Sequence, residues 1–122
     1  MEKLTSTELP EPAGPYSHVV VANGFVYTAG FGPQDPATGD VPDGIAAQTE
    51  AVIRNVERAL AVAGLDLSHL VKATVHLADL ADFAAFNEVY GRMIPAPYPV
   101  RTTVGSQLAD ILVEIDVVAA QP

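Results

Sequence analysis

Two hydrophobic rhythms alternate along the chain, and the points where one gives way to the other mark its elements. His18 to Ala22 and Phe25 to Ala29 are short runs rich in β-branched and aromatic residues, separated by Asn23-Gly24. That dipeptide is a strong local signal for a two-residue hairpin turn. From Ile45 to Ala63 the period lengthens: Ile45, Val52, Ile53, Val56, Leu60 and Ala63 recur at three- and four-residue spacing, with Gln48, Glu50, Arg54, Glu57 and Arg58 on other faces. The spacing predicts an amphipathic helix stopped by Gly64. Leu70 to Leu77 returns to period two, with Val71, Ala73, Val75 and Leu77 on one side and Lys72, Thr74 and His76 on the other, as in a strand. Asp79 is then expected to cap a second helix, with Asp82 favouring its positive end and Leu80, Phe83, Phe86, Tyr90 and Met93 as its buried stripe. Prolines end it near Pro95, and Pro99 to Gly105 and Leu112 to Ala119 read as the last two strands.

Between these elements lie turn residues. Residues 1–13 are polar with Pro10 and Pro12 and predict an irregular N-terminal arm, after which Gly14-Pro15-Tyr16 makes a turn that projects an aromatic ring. Gly30 to Gly44 holds four glycines and three prolines and reads as a loop with a turn at Asp35 to Gly39. The resulting order β-β-α-β-α-β-β predicts a single α+β domain over residues 1–122, a mixed sheet with two helices on one face. Such a sheet should be polar on its other face. Yet Val19, Val20 and Val21 follow one another, and Phe25 to Ala29 is apolar at both parities. Strands apolar on both sides are buried on both sides. With two helices available, a second copy of the chain is the simplest cover, and a closed homo-oligomer is expected.

Composition narrows the partners. Of 122 residues 49% are hydrophobic and 17% charged, enough for a packed core. A net charge of −9 with no basic run argues against nucleic acid, whose phosphates need clustered Lys and Arg. There is no cysteine, and so no disulfide framework, thiolate nucleophile or cysteine metal site. No apolar run approaches the ~20 residues of a membrane span, and Met1 to Pro15 lacks the apolar centre of a signal peptide. A soluble, cytoplasmic protein without membrane contact is expected. His18, His69 and His76 lack the spacing of zinc ligands and read as surface or interface residues. Gly30-Phe31-Gly32-Pro33 lacks the lysine and hydroxyl residue of a phosphate loop. Phe83 and Phe86 read as core, not as a platform for bases.

Two residues stand apart as candidate chemistry. Arg101, one of only six basic residues, sits among Pro95, Pro97 and Pro99 at the mouth of a strand. Its planar fork of donors suits a carboxylate bound at two points. Glu114 interrupts an otherwise apolar strand. On residue types alone, the two are either parts of a small-molecule site or a structural ion pair in a subunit interface. Tyr16 likewise reads as a site residue or an interface aromatic.

The ordered combination of Gly14-Pro15-Tyr16-Ser17, the hairpin ending in Gly30, the Asp35-Pro36-Ala37-Thr38-Gly39 turn, Gln48-Thr49 to Leu60, Val71 to Val75, Phe83 to Tyr90, Pro99-Val100-Arg101 and Val113-Glu114-Ile115 resembles the RidA/YjgF family. The resemblance covers nearly the whole chain in register. It implies a homotrimer with a chorismate-mutase-like fold that hydrolyses reactive 2-imino or enamino acids to 2-keto acids and ammonia, without metal or organic cofactor. It also implies that Arg101 holds the substrate carboxylate, that Glu114 positions the attacking water, and that Tyr16 and Asn87 line a cleft between two subunits. Gly30, Phe31 and Thr103 complete the expected substrate-binding set. Here the chain departs from the family: Ala29-Gly30-Phe31-Gly32 replaces Ser-Gly-Gln and an aliphatic residue, and Thr103 stands where a cysteine is common. These changes bear on substrate preference more than on reaction class. A second function class is a module that binds a keto acid or similar carboxylate in the same cleft without turnover, or that steadies a partner protein. A ribonuclease role, also attached to the family, ranks last for so acidic a chain. Glu114 discriminates between enzyme and binder, because a carboxylate beside a bound anion weakens binding and is hard to justify except for activating water.

Overall fold

In the computed structural model, which describes every residue from Met1 to Pro122, the chain opens on a strand where composition predicts an irregular arm. β1 (Glu2–Leu4) pairs antiparallel with β2 (Val19–Ala22), Glu2 opposite Val21 and Leu4 opposite Val19. Three residues are too few to display an alternation, and what makes them a strand is the free edge of β2 beside them. The segment that follows is tied down as well. Leu9 is buried, and the ring of His18 spans the arm, accepting from the Ser6 N–H at 3.1 Å through Nδ1 and donating to the Pro10 carbonyl at 2.8 Å through Nε2. His18, expected at a surface or interface, is therefore 1% exposed and satisfied inside the chain.

β2 turns into β3 (Phe25–Thr28) through Asn23 and Gly24, both at positive φ (53° and 82°), the backbone that lets two strands twist together across two residues. After the glycine- and proline-rich loop, α1 (Ile45–Val62) lies over the sheet with Val52, Ile53, Val56, Ala59 and Leu60 buried. Each such Val, Ile or Leu side chain withdrawn from water contributes roughly 1.5–3 kcal/mol. β4 (Leu70–Leu77) follows, then α2 (Phe83–Met93), β5 (Val100–Gly105) and β6 (Val113–Ala120). The sheet order is β1-β2-β3-β6-β4-β5; only β4 and β5, joined by the α2 crossover, run parallel. Both helices share one core with the buried side chains of β4 and β6. The expected α+β architecture, a mixed sheet with two helices on one face, is what forms, with one extra edge strand.

Three local differences have physical causes. Asp79 caps a separate helical turn, Leu80–Asp82, by accepting from the Ala81 N–H at 2.9 Å, and α2 begins only at Phe83. That turn swings Leu80 and Phe83 out of the core, and Val89 joins Phe86 and Tyr90 in the buried stripe. Val71 is exposed because a register irregularity between Leu70 and Lys72 in the β4–β6 pairing interrupts the alternation. Gln48, expected on a polar helix face, is buried, and so is Asn55.

The strand register assigns every sheet residue to a face. Val21 and Val26, Ala73 and Val75, Val113, Ile115 and Val117, and Arg101 and Thr103 point toward the helices. Val20, Tyr27, Val118, Lys72, His76, Glu114, Asp116, Val100 and Val104 point the other way. On this second face Phe25, Tyr27, Val100 and Val104 are exposed.

Candidate functional site

Arg101 and Glu114 lie on opposite faces of the sheet. Along the ladder Arg101 pairs with Ala73, which pairs with Val117, all on the helix side; Glu114 pairs with His76, which pairs with Val104, all on the open side. Period two decides this, since residues an odd number of ladder steps apart point opposite ways. Within one chain the two form no ion pair; the ion pairs present are Arg54–Glu57 and His69–Asp66.

The Arg101 half is built by β5 and α2. The Arg101 guanidinium donates through Nη2 to Asn87 Oδ1 at 2.7 Å, and its central carbon lies 4.7 Å from the Tyr90 ring centroid, 5.4 Å from Phe86 and 5.7 Å from Phe83. These distances fit attraction between a cation and aromatic faces. Phe83, Phe86, Asn87 and Tyr90 recur at three- and four-residue spacing on α2, so one stripe meets the arginine. A cavity of about 510 Å3 opens here, lined by Asn87, Tyr90, Gly91, Tyr98, Pro99 and Arg101. Tyr98 closes one wall by donating its hydroxyl to the Gly91 carbonyl at 2.9 Å. The hydroxyls of Tyr90 and of Thr103, the latter on the same face as Arg101, are buried without hydrogen-bond partners. Burial pushes the Tyr90 hydroxyl above its ordinary pKa, with Arg101 opposing.

The Glu114 half forms where β6 passes the end of the β2–β3 hairpin. A cleft of about 480 Å3 is lined by Tyr16, His18, Gly30, Phe31, Gln107 and Glu114 among others. A neighbouring hollow of similar size shares Tyr16, Gly30 and Glu114 and adds Val20 and Tyr27 from the open face. Gly30 leaves room for the Glu114 carboxylate: a Cβ there would sit 2.5 Å from Glu114 Oε1 and would push that side chain aside. Tyr16 is half-exposed, its hydroxyl accepting from the Ala13 N–H at 3.0 Å. Phe31 is mostly core: its backbone pairs with Ile115 in both directions and its ring packs 5.7 Å from His18. Next along the open face, burial pushes the Asp116 carboxyl above the ordinary carboxylate range, against the lowering influence of His76 and Lys72. His76 Nδ1 lies 2.7 Å from Ser106 Oγ. No group of three His, Cys, Asp or Glu residues is placed to hold a metal ion, and no helix is long and apolar enough to cross a membrane.

The seven candidate residues thus fall into two sets: Arg101, Asn87 and Thr103 on the helix side, and Glu114, Tyr16, Gly30 and Phe31 around the other cleft. The first set offers guanidinium donors to an anion and the second offers a carboxylate to accept a proton; neither offers both. Reading the sequence missed two kinds of residue. Phe83, Phe86 and Tyr90 read as packing in the sequence, and their contact with Arg101 depends on how α2 lies against β5. Gln48 and Asn55 brace the loops that wall the second cleft: Gln48 donates to the Pro42 carbonyl and accepts from the Leu112 N–H, and Asn55 donates to the carbonyls of Gly32 and Gln34. Their signal was present, since polar residues at 48 and 55 fall in step with Val52, Val56 and Ala59 on the buried stripe.

Comparison with known proteins adds an independent line. A family model described as "Endoribonuclease L-PSP" matches residues 6–121. A RutC family protein from Pyrococcus horikoshii is 41% identical over 98% of each chain. A bovine protein named 2-iminobutanoate/2-iminopropanoate deaminase is 36% identical over 99% of this chain and 91% of its own. Among solved structures, Escherichia coli TdcF with bound serine superposes with a TM-score of 0.94 at 31% identity, covering all of both chains.

Proposed function

Because the chain belongs to the endoribonuclease L-PSP family, which includes RidA and YjgF, we propose that it hydrolyses 2-imino and enamino acids to 2-keto acids and ammonia. The site is composite: Arg101 of one copy, with Asn87 and Thr103 beside it, holds the substrate carboxylate, while Glu114 of a second copy, with Tyr16 and Gly30, positions the attacking water. The observation that carries the reading is the split of these residues between two sheet faces, joined to an open face whose exposed apolar residues suit cover by another copy. A ring of three copies is the assembly the family resemblance implies. The cytoplasm, where such imines form as by-products of amino-acid-processing enzymes, is the expected compartment.

The chemistry asks little of the protein. The C=N carbon beside a carboxylate is electrophilic, above all as the iminium, so orientation and one proton shuttle suffice. Glu114 accepts a proton from water as the C–O bond forms at the imine carbon. The proton passes to nitrogen to give an aminoalcohol; its hydroxyl then returns a proton to Glu114 as the C=O bond forms and the C–N bond breaks, so ammonia leaves and a keto acid stays in the clamp.

A second reading, a binder without turnover, draws on the serine bound in TdcF, a small molecule bearing a carboxylate. One assay decides between them: keto-acid release from 2-iminobutyrate and 2-iminopropionate formed in situ by an amino-acid oxidase, for wild type and Arg101→Ala. Acceleration by the wild type that disappears in the variant is the expected result. Keto-acid binding by the wild type without acceleration would favour the binder.

A further inference from the structure

We infer that Phe83, Phe86 and Tyr90 are positioning residues for the carboxylate clamp, a three-ring cage that orders the Arg101 guanidinium while leaving its positive charge unneutralised. The inference deepens the proposed function and rests on its assignment of Arg101.

A carboxylate partner is one way to steady a long cationic side chain. That solution would defeat an anion site, since the incoming carboxylate would have to displace a partner already in place. In this chain Arg101 has no ion-pair partner, and its hydrogen bond within the protein runs to the neutral Asn87. The remaining donors of the guanidinium fork are left for a ligand. The three rings take over the holding, within 4.7–5.7 Å of the guanidinium carbon. An aromatic quadrupole attracts a cation without cancelling its charge. Phe86 and Tyr90 are buried in the core and fix the inner walls, whereas Phe83, 42% exposed, forms the outer one. The separate turn at Leu80–Asp82 brings Phe83 out of the core and beside the arginine. The Tyr90 hydroxyl has no partner, so the ring and not the hydroxyl holds the guanidinium.

Loss of a wall leaves Arg101 to be ordered at the moment of binding, which weakens affinity by about three- to tenfold. The test uses the full-length protein, with 2-ketobutyrate as the probe titrated into wild type, Arg101→Ala, Phe83→Leu, Tyr90→Leu and Tyr90→Phe, and KM and kcat measured on 2-iminobutyrate. Phe83→Leu and Tyr90→Leu should raise Kd and KM by that factor while kcat falls less; Tyr90→Phe, which keeps the ring, should restore the wild-type value. Lower kcat and thermal stability together in both leucine variants, with no rescue by phenylalanine, would mean purely structural damage and would overturn the cage. Phe83→Leu lies at the surface and carries the test should Tyr90→Leu fail to fold. If Arg101→Ala abolishes binding but both leucine variants bind within twofold of wild type, the cage is overturned and the clamp stands. If Arg101→Ala binds as wild type does, the clamp is overturned and the cage with it.

Discussion

The two faces of the sheet treat charge in opposite ways. On the helix side a single cation is enclosed by three aromatic rings and one amide, with every neighbour supplied by the same chain. On the open side Glu114, Asp116, Lys72 and His76 share a surface with exposed Phe25, Tyr27, Val100 and Val104. The first region is finished within one protomer; the second is polar chemistry set in an apolar surface that nothing in the chain covers. The difference teaches that organisation and completeness are separate properties. Under the proposed function, the Arg101 held by these contacts receives the substrate anion while the Glu114 carboxylate faces away from it, so turnover should demand a contact that one chain cannot make.

The largest expected effect tests the open face. Glu114→Gln should reduce keto-acid release by about two to four orders of magnitude, the usual range for removing a general base, while leaving 2-ketobutyrate affinity near that of the wild type. Equal losses in both would remove Glu114 from the chemistry. Next comes its support: Gly30→Ala should displace the Glu114 carboxylate and lower kcat by roughly ten- to a hundredfold, with a smaller change in KM, because its Cβ would meet Oε1 at 2.5 Å. A mixing experiment addresses the split itself. If each site takes Arg101 from one copy and Glu114 from another, co-refolding the two inactive variants Arg101→Ala and Glu114→Gln in equal amounts should regain about a quarter of wild-type activity. Recovery of none would place both residues in a site within one chain, against the register.

The smallest effect concerns Asp116. Its folded-state pKa is raised above the unfolded value, chiefly by burial, so the folded protein holds this proton more tightly. Stability is then lost as pH rises from about 4 through the raised value. Asp116→Asn should remove that slope and leave the variant slightly more stable than wild type at neutral pH, by under about 1 kcal/mol given the group's solvent contact. Thermal melts of both proteins across pH 3–8 (a range set by roughly where carboxylates and histidines titrate) would show the gap widening upward.

Much of this was legible in the residues. The Asn23-Gly24 turn, the α1 stripe, the alternation of β4 and the oddity of Glu114 in β6 are local patterns, and the structure reproduces them within a residue or two. The failures share a cause. β1 exists because β2 offers an edge; His18 is buried because the arm folds back across it; Leu80 and Phe83 left the expected stripe because Asp79 capped a short turn of its own. Each depends on what lies next in space.

What the sequence determined by itself was the class of fold, two helices against a mixed sheet, and the odd residues at which chemistry is worth seeking. Period and turn residues are set by φ and ψ preferences over a few positions, and these travel with the chain. The face on which each candidate stands was decided only in the tertiary structure. Arg101 and Glu114 are thirteen residues apart (114 − 101) in the sequence, but strand register, counted across β5, β4 and β6, sends one toward the helices and the other away. A slip of one residue in either pairing would reverse that outcome without changing a single local preference.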